Sequence, residues 1–152
     1  MHRYCKQYET LIDSFGGIDL LVCQLTKNGG LAFNEPGSQS TSSCRLVLLS
    51  NDTRQRIADS YQCEVAPETA VTLGMSNLLA ARKVICVAWG EASAEAVYNT
   101  IEGRIGDNTP ASFLQMHHDV KLLVDLDAAS LLTRISFPWK VTSCCLLYTS
   151  PS

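Results

Sequence analysis

Lys83-Val84-Ile85-Cys86-Val87-Ala88-Trp89 is a short, nearly continuous apolar run, and its reading decides the fold. A run this brief, without alternation of polar and apolar residues, is what a strand buried on both faces requires. Three further runs match it: Ile18-Asp19-Leu20-Leu21-Val22-Cys23, Arg45-Leu46-Val47-Leu48-Leu49 and Val120-Lys121-Leu122-Leu123-Val124-Asp125. Helix-like stretches lie between and before them. Tyr4, Tyr8, Leu11, Ile12 and Phe15 recur at helical spacing and are stopped by Gly16-Gly17. Glu91 to Glu102 is rich in Ala and Glu and ends at Gly103, and Asp127 to Thr133 opens with an aspartate suited to capping. Alternating helices and buried strands predict a βαβ series, hence an α/β fold with a mostly parallel sheet covered on both faces.

The 152 residues fit one domain, and a formal charge of −3 argues against a general nucleic-acid binder, which needs clustered Lys and Arg. With 46% hydrophobic and 18% charged residues, the composition is that of a globular protein. No apolar run reaches the roughly 18 to 20 residues that cross a bilayer. The amino-terminal residues carry charges where a signal peptide needs an apolar centre, so a cytoplasmic location is expected, with neither membrane nor nucleic acid as partner. Seven cysteines lie at 5, 23, 44, 63, 86, 144 and 145, none in C-x-x-C spacing. Cys23 and Cys86 sit inside apolar runs and read as small buried hydrophobes. His117 and His118 are adjacent, so their side chains diverge, and the reading is a packing or capping role with no metal ligand. Trp89 and Trp139 read as fillers of the core or of an interface to a following domain. Asp125, Asp127 and Glu102 read as loop-end and cap charges.

Ligands of open parallel sheets bind beyond the carboxyl ends of the strands. The loop after the first run, Thr26 to Ser43, is long and rich in Gly, Asn, Ser and Thr. Within it Asn28-Gly29-Gly30 either offers backbone amides to an anion or simply turns the chain, and Asn34-Glu35 sets an amide beside a carboxylate.

Leu31-Ala32-Phe33-Asn34-Glu35-Pro36-Gly37-Ser38 resembles the signature loop of the glucosamine-6-phosphate deaminase/isomerase family, in which Asp-Gly-His leads into Ile-Ala-Phe-Asn-Glu-Pro. The likeness continues through Asn51-Asp52-Thr53-Arg54, Ala70-Val71-Thr72-Leu73-Gly74, Glu102-Gly103 and Phe113-Leu114-Gln115-Met116-His117, over about residues 4 to 143. Leu132-Thr133-Arg134 and Phe137-Pro138-Trp139-Lys140-Val141 are similar to longer members that carry a second domain. The resemblance implies a Rossmann-like three-layer α/β/α sandwich, incomplete here. It also implies a place in amino-sugar metabolism: glucosamine 6-phosphate as the sugar-phosphate partner, fructose 6-phosphate and ammonia as products, and no cofactor.

That reaction opens the sugar ring and moves a proton between C1 and C2, which needs a base at carbon and an acid–base group at the ring oxygen. By the resemblance, a histidine oriented by Asp and Glu of the signature loop opens the ring. Only Glu35 keeps its residue type. Asn28 stands at the aspartate position and Gly30 at the histidine position, and neither can perform the usual proton transfer. Gly29 and Asn34 are the expected substrate-binding residues of the loop. Ser93 stands where the family carries a phosphate-binding lysine, and Asp59 falls near the expected arginine. Arg54 or Arg56 is either its substitute or a solvated helix charge. Ser38 and Arg45 match an effector-phosphate site of hexameric members.

The resemblance further implies that residues 1–143 are the carboxyl-terminal part of a domain of roughly 250 residues; it stops near Ser143, and residues 144–152 are an unassigned tail, either an artefact or a genuine extension. Half a parallel sheet leaves an open edge, so the isolated chain is expected to be poorly soluble or a homo-oligomer. Two other functions fit: a non-catalytic sugar-phosphate sensor of the same fold, and a 6-phosphogluconolactonase, which fits Asn34-Glu35-Pro36 less well.

Overall fold

A computed structural model describes residues 2–136. The Phe137–Val141 motif with Trp139, Cys144 and Cys145, and the 144–152 tail lie outside the described residues. In chain order the elements are α1 (His2–Ser14), β1 (Leu20–Gln24), β2 (Arg45–Leu48), α2 (Asn51–Tyr61), β3 (Thr69–Thr72), α3 (Met75–Leu79), β4 (Lys83–Ala88), α4 (Ala94–Ile101), β5 (Val120–Val124) and α5 (Thr133–Ser136). A single-turn 3-10 segment at Glu91–Ser93 leads into α4, and a seven-residue 3-10 segment at Pro110–Met116 precedes β5.

The expected parallel sheet is present, in the order β1-β4-β5. The decisive run is its centre: β4 pairs in parallel with β1 (Cys23 opposite Cys86) and with β5 (Cys86 opposite Leu122). It has a neighbour on each side, and one of its faces is fully buried while Ile85 and Val87 on the other are half-buried, so the expected cover is complete on one face only. Val84, Cys86 and Ala88 are buried, and the core around them includes Leu25, Leu31, Met75, Val97 and Leu132.

Arg45–Leu49 is corrected. It does not join the parallel sheet; β2 pairs antiparallel with β3 as a separate two-stranded sheet. Leu48 is 79% exposed because only one face of this ribbon has anything to pack on. The helix expected at Asp127–Thr133 is instead a series of turns, with α5 beginning at Thr133. The capping aspartate there is Asp125, which accepts the Ala128 N–H at 2.9 Å. Trp89 is exposed and is no core filler.

Helix α1 forms where expected, and Gly16 and Gly17, at φ +86° and +88°, stop it. Its apolar residues Tyr4, Tyr8, Leu11 and Phe15 are exposed, however, with only Cys5 buried. Val22 of β1 is 62% exposed, and β1 has no strand on its outer side among the described residues. An apolar cavity of about 550 Å³ runs along this edge, lined by Tyr8, Val22, Cys23, Phe33 and Val71.

The described cysteines are free thiols. Cys86 is fully buried, as expected, whereas Cys23 is only partly so. Their side chains hydrogen-bond across the β1–β4 register. That contact lowers the Cys23 thiol against the opposing effect of burial, and it raises Cys86 together with burial. His117 packs as expected, its Nε2 2.6 Å from the Ala81 carbonyl and its Nδ1 accepting the Asp119 N–H at 3.1 Å, but the two histidines do not diverge: the His118 ring stacks on it at 4.6 Å. Among the described residues no helix is long and apolar enough to cross a membrane.

Leu31 joins the signature loop to the core and is fully buried. Truncation as Leu31→Ala is expected to lower the unfolding free energy by about 2–5 kcal/mol, read from the denaturant midpoint at unchanged slope.

Candidate functional site

Beyond β1 the chain makes a tight turn. The Gly29 N–H bonds the Thr26 carbonyl at 2.9 Å, and the Thr26 N–H bonds the Gly30 carbonyl at 3.1 Å. Thr26 Oγ1 donates to Asn28 Oδ1 at 2.5 Å, and the Gly30 N–H approaches both Thr26 Oγ1 (2.9 Å) and Asn28 Oδ1 (3.3 Å). The amide oxygen of Asn28 is thus committed inside its own turn.

Both glycines are dictated by space. Gly29 has φ +78°, and a Cβ there would lie 2.7 Å from the Thr109 methyl. At Gly30 a Cβ would lie 2.6 Å from the backbone oxygen of Asn34. The turn as folded holds no side chain at position 30.

Asn34 is fully buried, yet its amide is satisfied. Its Nδ2 donates to the carbonyls of Leu31 (3.1 Å) and Leu73 (2.8 Å), and its Oδ1 accepts from Arg45 at 2.9 Å. The other guanidinium nitrogen of Arg45 donates to Ser38 Oγ at 3.0 Å. Ser38 and Arg45 are therefore brought together, but facing each other and Asn34. A buried amide left without partners costs about 1–3 kcal/mol, so this network holds the loop firmly.

Glu35 turns toward helix α2. Its Oε1 accepts from Ser50 Oγ at 2.8 Å and from Thr53 Oγ1, and its Oε2 accepts the Ser50 N–H at 3.1 Å. Ser50 is the N-cap, its Oγ accepting the Thr53 N–H at 3.3 Å. Glu35 completes the cap from fifteen residues away in sequence, placing a negative charge at the positive end of the helix. Its hydrogen-bond partners all belong to α2 and its cap, and none to residues 28 or 30.

Ser93, buried, donates to the Trp89 carbonyl at 2.9 Å and stands directly before α4. The adjoining Gly90 N–H bonds both oxygens of Asp125 at 3.0–3.1 Å. These backbone donors, Ala128 first and Gly90 next, hold the Asp125 carboxyl below the usual carboxylate range. The exits of β4 and β5 are so clamped together.

Two cavities flank the turn. One, of about 440 Å³, lies against α2 and is lined by Thr26, Lys27, Asn28, Asp52, Arg56 and Asp59, among others. The other, of about 270 Å³, lies against α4 and is lined by Asn28, Gly29, Glu95, Asn99 and Thr109, among others. Of the expected site residues, Asn28 and Gly29 border cavities, whereas Gly30, Asn34, Glu35, Ser38, Arg45 and Ser93 do not border these two. Sequence reasoning missed Ser50 and Thr53 as partners of Glu35, and Lys27 and Asp52 as cavity residues. A cap signal existed in Ser50-Asn51-Asp52-Thr53, a hydroxyl residue opening a polar stretch. Among the described residues, no group of three or more His, Cys, Asp or Glu gathers to hold a metal ion.

No family model matches the chain. It is 44% identical over 143 residues to a glucosamine-6-phosphate deaminase-like protein of Bacteroides thetaiotaomicron, a match covering 93% of this chain and 22% of that one. It is 38% identical over 128 residues to glucosamine-6-phosphate deaminase 1 of Bacillus subtilis, covering 84% of this chain and 53% of that enzyme. Among solved structures, a monomeric glucosamine-6-phosphate deaminase superposes with a TM-score of 0.81 at 37% identity, over 86% of this chain and 54% of that one. The 6-phosphogluconolactonase of Trypanosoma brucei superposes with a TM-score of 0.64 at 21% identity, over 86% of this chain and 53% of that one, a likeness of fold alone. The chain spans about half the length of the curated deaminases it matches.

Glu35→Gln is expected to destabilise the protein by about 1–3 kcal/mol, with faster amide exchange in the first turn of α2 as the specific sign. Asp125 has a depressed folded pKa, so its stabilisation is present above the unfolded value of about 3.9 and is lost as pH falls through the folded value. Denaturant titrations should therefore show Asp125→Asn less stable than wild type at neutral pH, the gap closing below about pH 4.

Proposed function

We propose that this chain, which belongs by sequence and fold to the glucosamine-6-phosphate deaminase family over the half of those proteins that it spans, binds amino-sugar phosphate and does not itself deaminate it. The observation that carries this reading is the state of the signature loop. Its scaffold is intact, from buried Leu31 to the Asn34–Arg45–Ser38 network. Its proton-transfer groups are not: Asn28 is occupied within its own turn, position 30 has no space for an imidazole, and Glu35 is engaged with Ser50 and Thr53.

Ring opening needs a group that both takes and gives a proton near neutral pH. An amide and a glycine do neither, and a carboxylate already accepting three hydrogen bonds from α2 and its cap is a helix anchor before it is a base. Conversion of glucosamine 6-phosphate to fructose 6-phosphate and ammonia is thus proposed for intact relatives of this chain, not for these residues. Residues 1–143 as one part of such a domain, Gly29 and Asn34 as shapers of the binding loop, and Ser93 as the replaced phosphate ligand belong to the same reading. So does the position of Ser38 and Arg45, whose mutual bonding supports a loop-ordering role over effector binding. The lactonase alternative gains only a shared fold, at 21% identity.

Calorimetric titration with glucosamine 6-phosphate is expected to show saturable binding, while a coupled assay at high protein concentration detects no ammonia. Ammonia release abolished by Glu35→Gln would overturn the non-catalytic part. Absence of binding would overturn the whole.

A further inference from the structure

We propose that Cys23 and Cys86 form a redox dithiol, in which hydroperoxides oxidise Cys23 at the edge cavity and the buried Cys86 closes a disulfide between β1 and β4. The two residues stand directly opposite each other in the parallel register of these strands. Register partners project from the same face of a sheet, and neighbouring strands run about 4.8 Å apart, within the roughly 4.4–6.8 Å between Cα atoms that a disulfide spans. The two thiols are already in hydrogen-bond contact. Among the described residues β1 has a strand on one side only, so a small approach toward β4 strains no second ladder.

A packing role accounts for Cys86, which is fully buried, but not for Cys23. Cys23 is half-buried and lines the cavity of about 550 Å³ along the β1 edge, where a small oxidant reaches its sulfur. The Cys86 S–H donates toward the Cys23 sulfur, which lowers the Cys23 thiol and raises that of Cys86. The reachable sulfur is therefore also the one that ionises first. Cys44 borders the same cavity as a contrast: it is buried, and desolvation together with the neighbouring Cys5 pushes its thiol up to about 11. In the first step, with hydrogen peroxide, the Cys23 thiolate attacks a peroxide oxygen and the O–O bond breaks. The departing hydroxide takes up the proton that Cys23 gave up on ionising, leaves as water, and Cys23 becomes a sulfenic acid. In the second step the Cys86 sulfur attacks the Cys23 sulfur; the S–S bond forms, the S–O bond breaks, and the departing hydroxide takes the Cys86 thiol proton as water. Two thiols lose two electrons in total, and one peroxide gains them. The bond ties β1, just before the Thr26–Gly30 turn, to the centre of the sheet.

The test takes the 152-residue chain, reduced and then treated with hydrogen peroxide, digests it without reduction and maps its peptides by mass spectrometry. The expected product is a peptide pair joined through Cys23 and Cys86 and separated again by dithiothreitol. Peroxide treatment that leaves both as thiols, or that joins Cys23 to a different cysteine, overturns the proposal. On the untreated chain, iodoacetamide should label Cys23 about tenfold faster than Cys44; labelling no faster than at Cys44 overturns the assignment of Cys23 as the oxidised thiol. In Cys86→Ala, with circular dichroism confirming the fold, peroxide and dimedone together should tag Cys23 as a trapped sulfenic acid, whereas no tag overturns the order of attack. The mapping and the labelling use wild type alone, so they decide the proposal even where the variant fails to fold.

Discussion

One buried amide holds the loop end of this molecule together. Asn34 is fully buried with its donors on the carbonyls of Leu31 and Leu73 and its acceptor on Arg45. Those partners belong to three segments: the loop itself, the exit of β3, and the start of β2. Since an unpaired amide in the interior is costly, the three segments are fixed relative to one another. The antiparallel ribbon is thereby tied to the parallel sheet, and Glu35, the next residue, is aimed at the cap of α2.

From that anchoring follows a division of labour within the loop. Residues that build it are engaged with protein: Asn34 with backbone, Arg45 with Ser38, Glu35 with Ser50 and Thr53. Residues that border open space are Lys27 and Asn28 on one side and the outer face of α2 on the other. A residue type shared with a family of enzymes therefore does not settle what its side chain does in this chain. Glu35 keeps the family's carboxylate, but its surroundings make it a cap.

Much of the fold was legible because apolar periodicity reports burial directly. β1, β4 and β5 were each contained in an apolar run, with Gly16-Gly17 marking the first helix end. β2 was misplaced in the same way: Leu46, Val47 and Leu48 look like a doubly buried strand, and nothing local says that their partner, Thr69–Thr72, runs antiparallel in a ribbon with one face open. Helix α1 shows the converse error, since an apolar stripe promises a neighbour without supplying one. At the site, residue types were readable but orientations were not. The Glu35–Ser50 contact joins two stretches whose proximity depends on the whole loop path, and the crowding at Gly30 comes from the Asn34 carbonyl, which no spacing rule reveals.

That crowding has a mutational consequence. The oxygen 2.6 Å from a would-be Cβ at position 30 belongs to the residue whose side chain is pinned on all sides. A backbone so held yields only if the loop, Arg45 and the exit of β3 move together. Introducing a side chain at that position is consequently not a one-step mutational path: the first substitution is penalised before any second one can make use of it. The packing around the turn thus keeps position 30 bare: a side chain there needs the loop, Arg45 and the exit of β3 to shift with it.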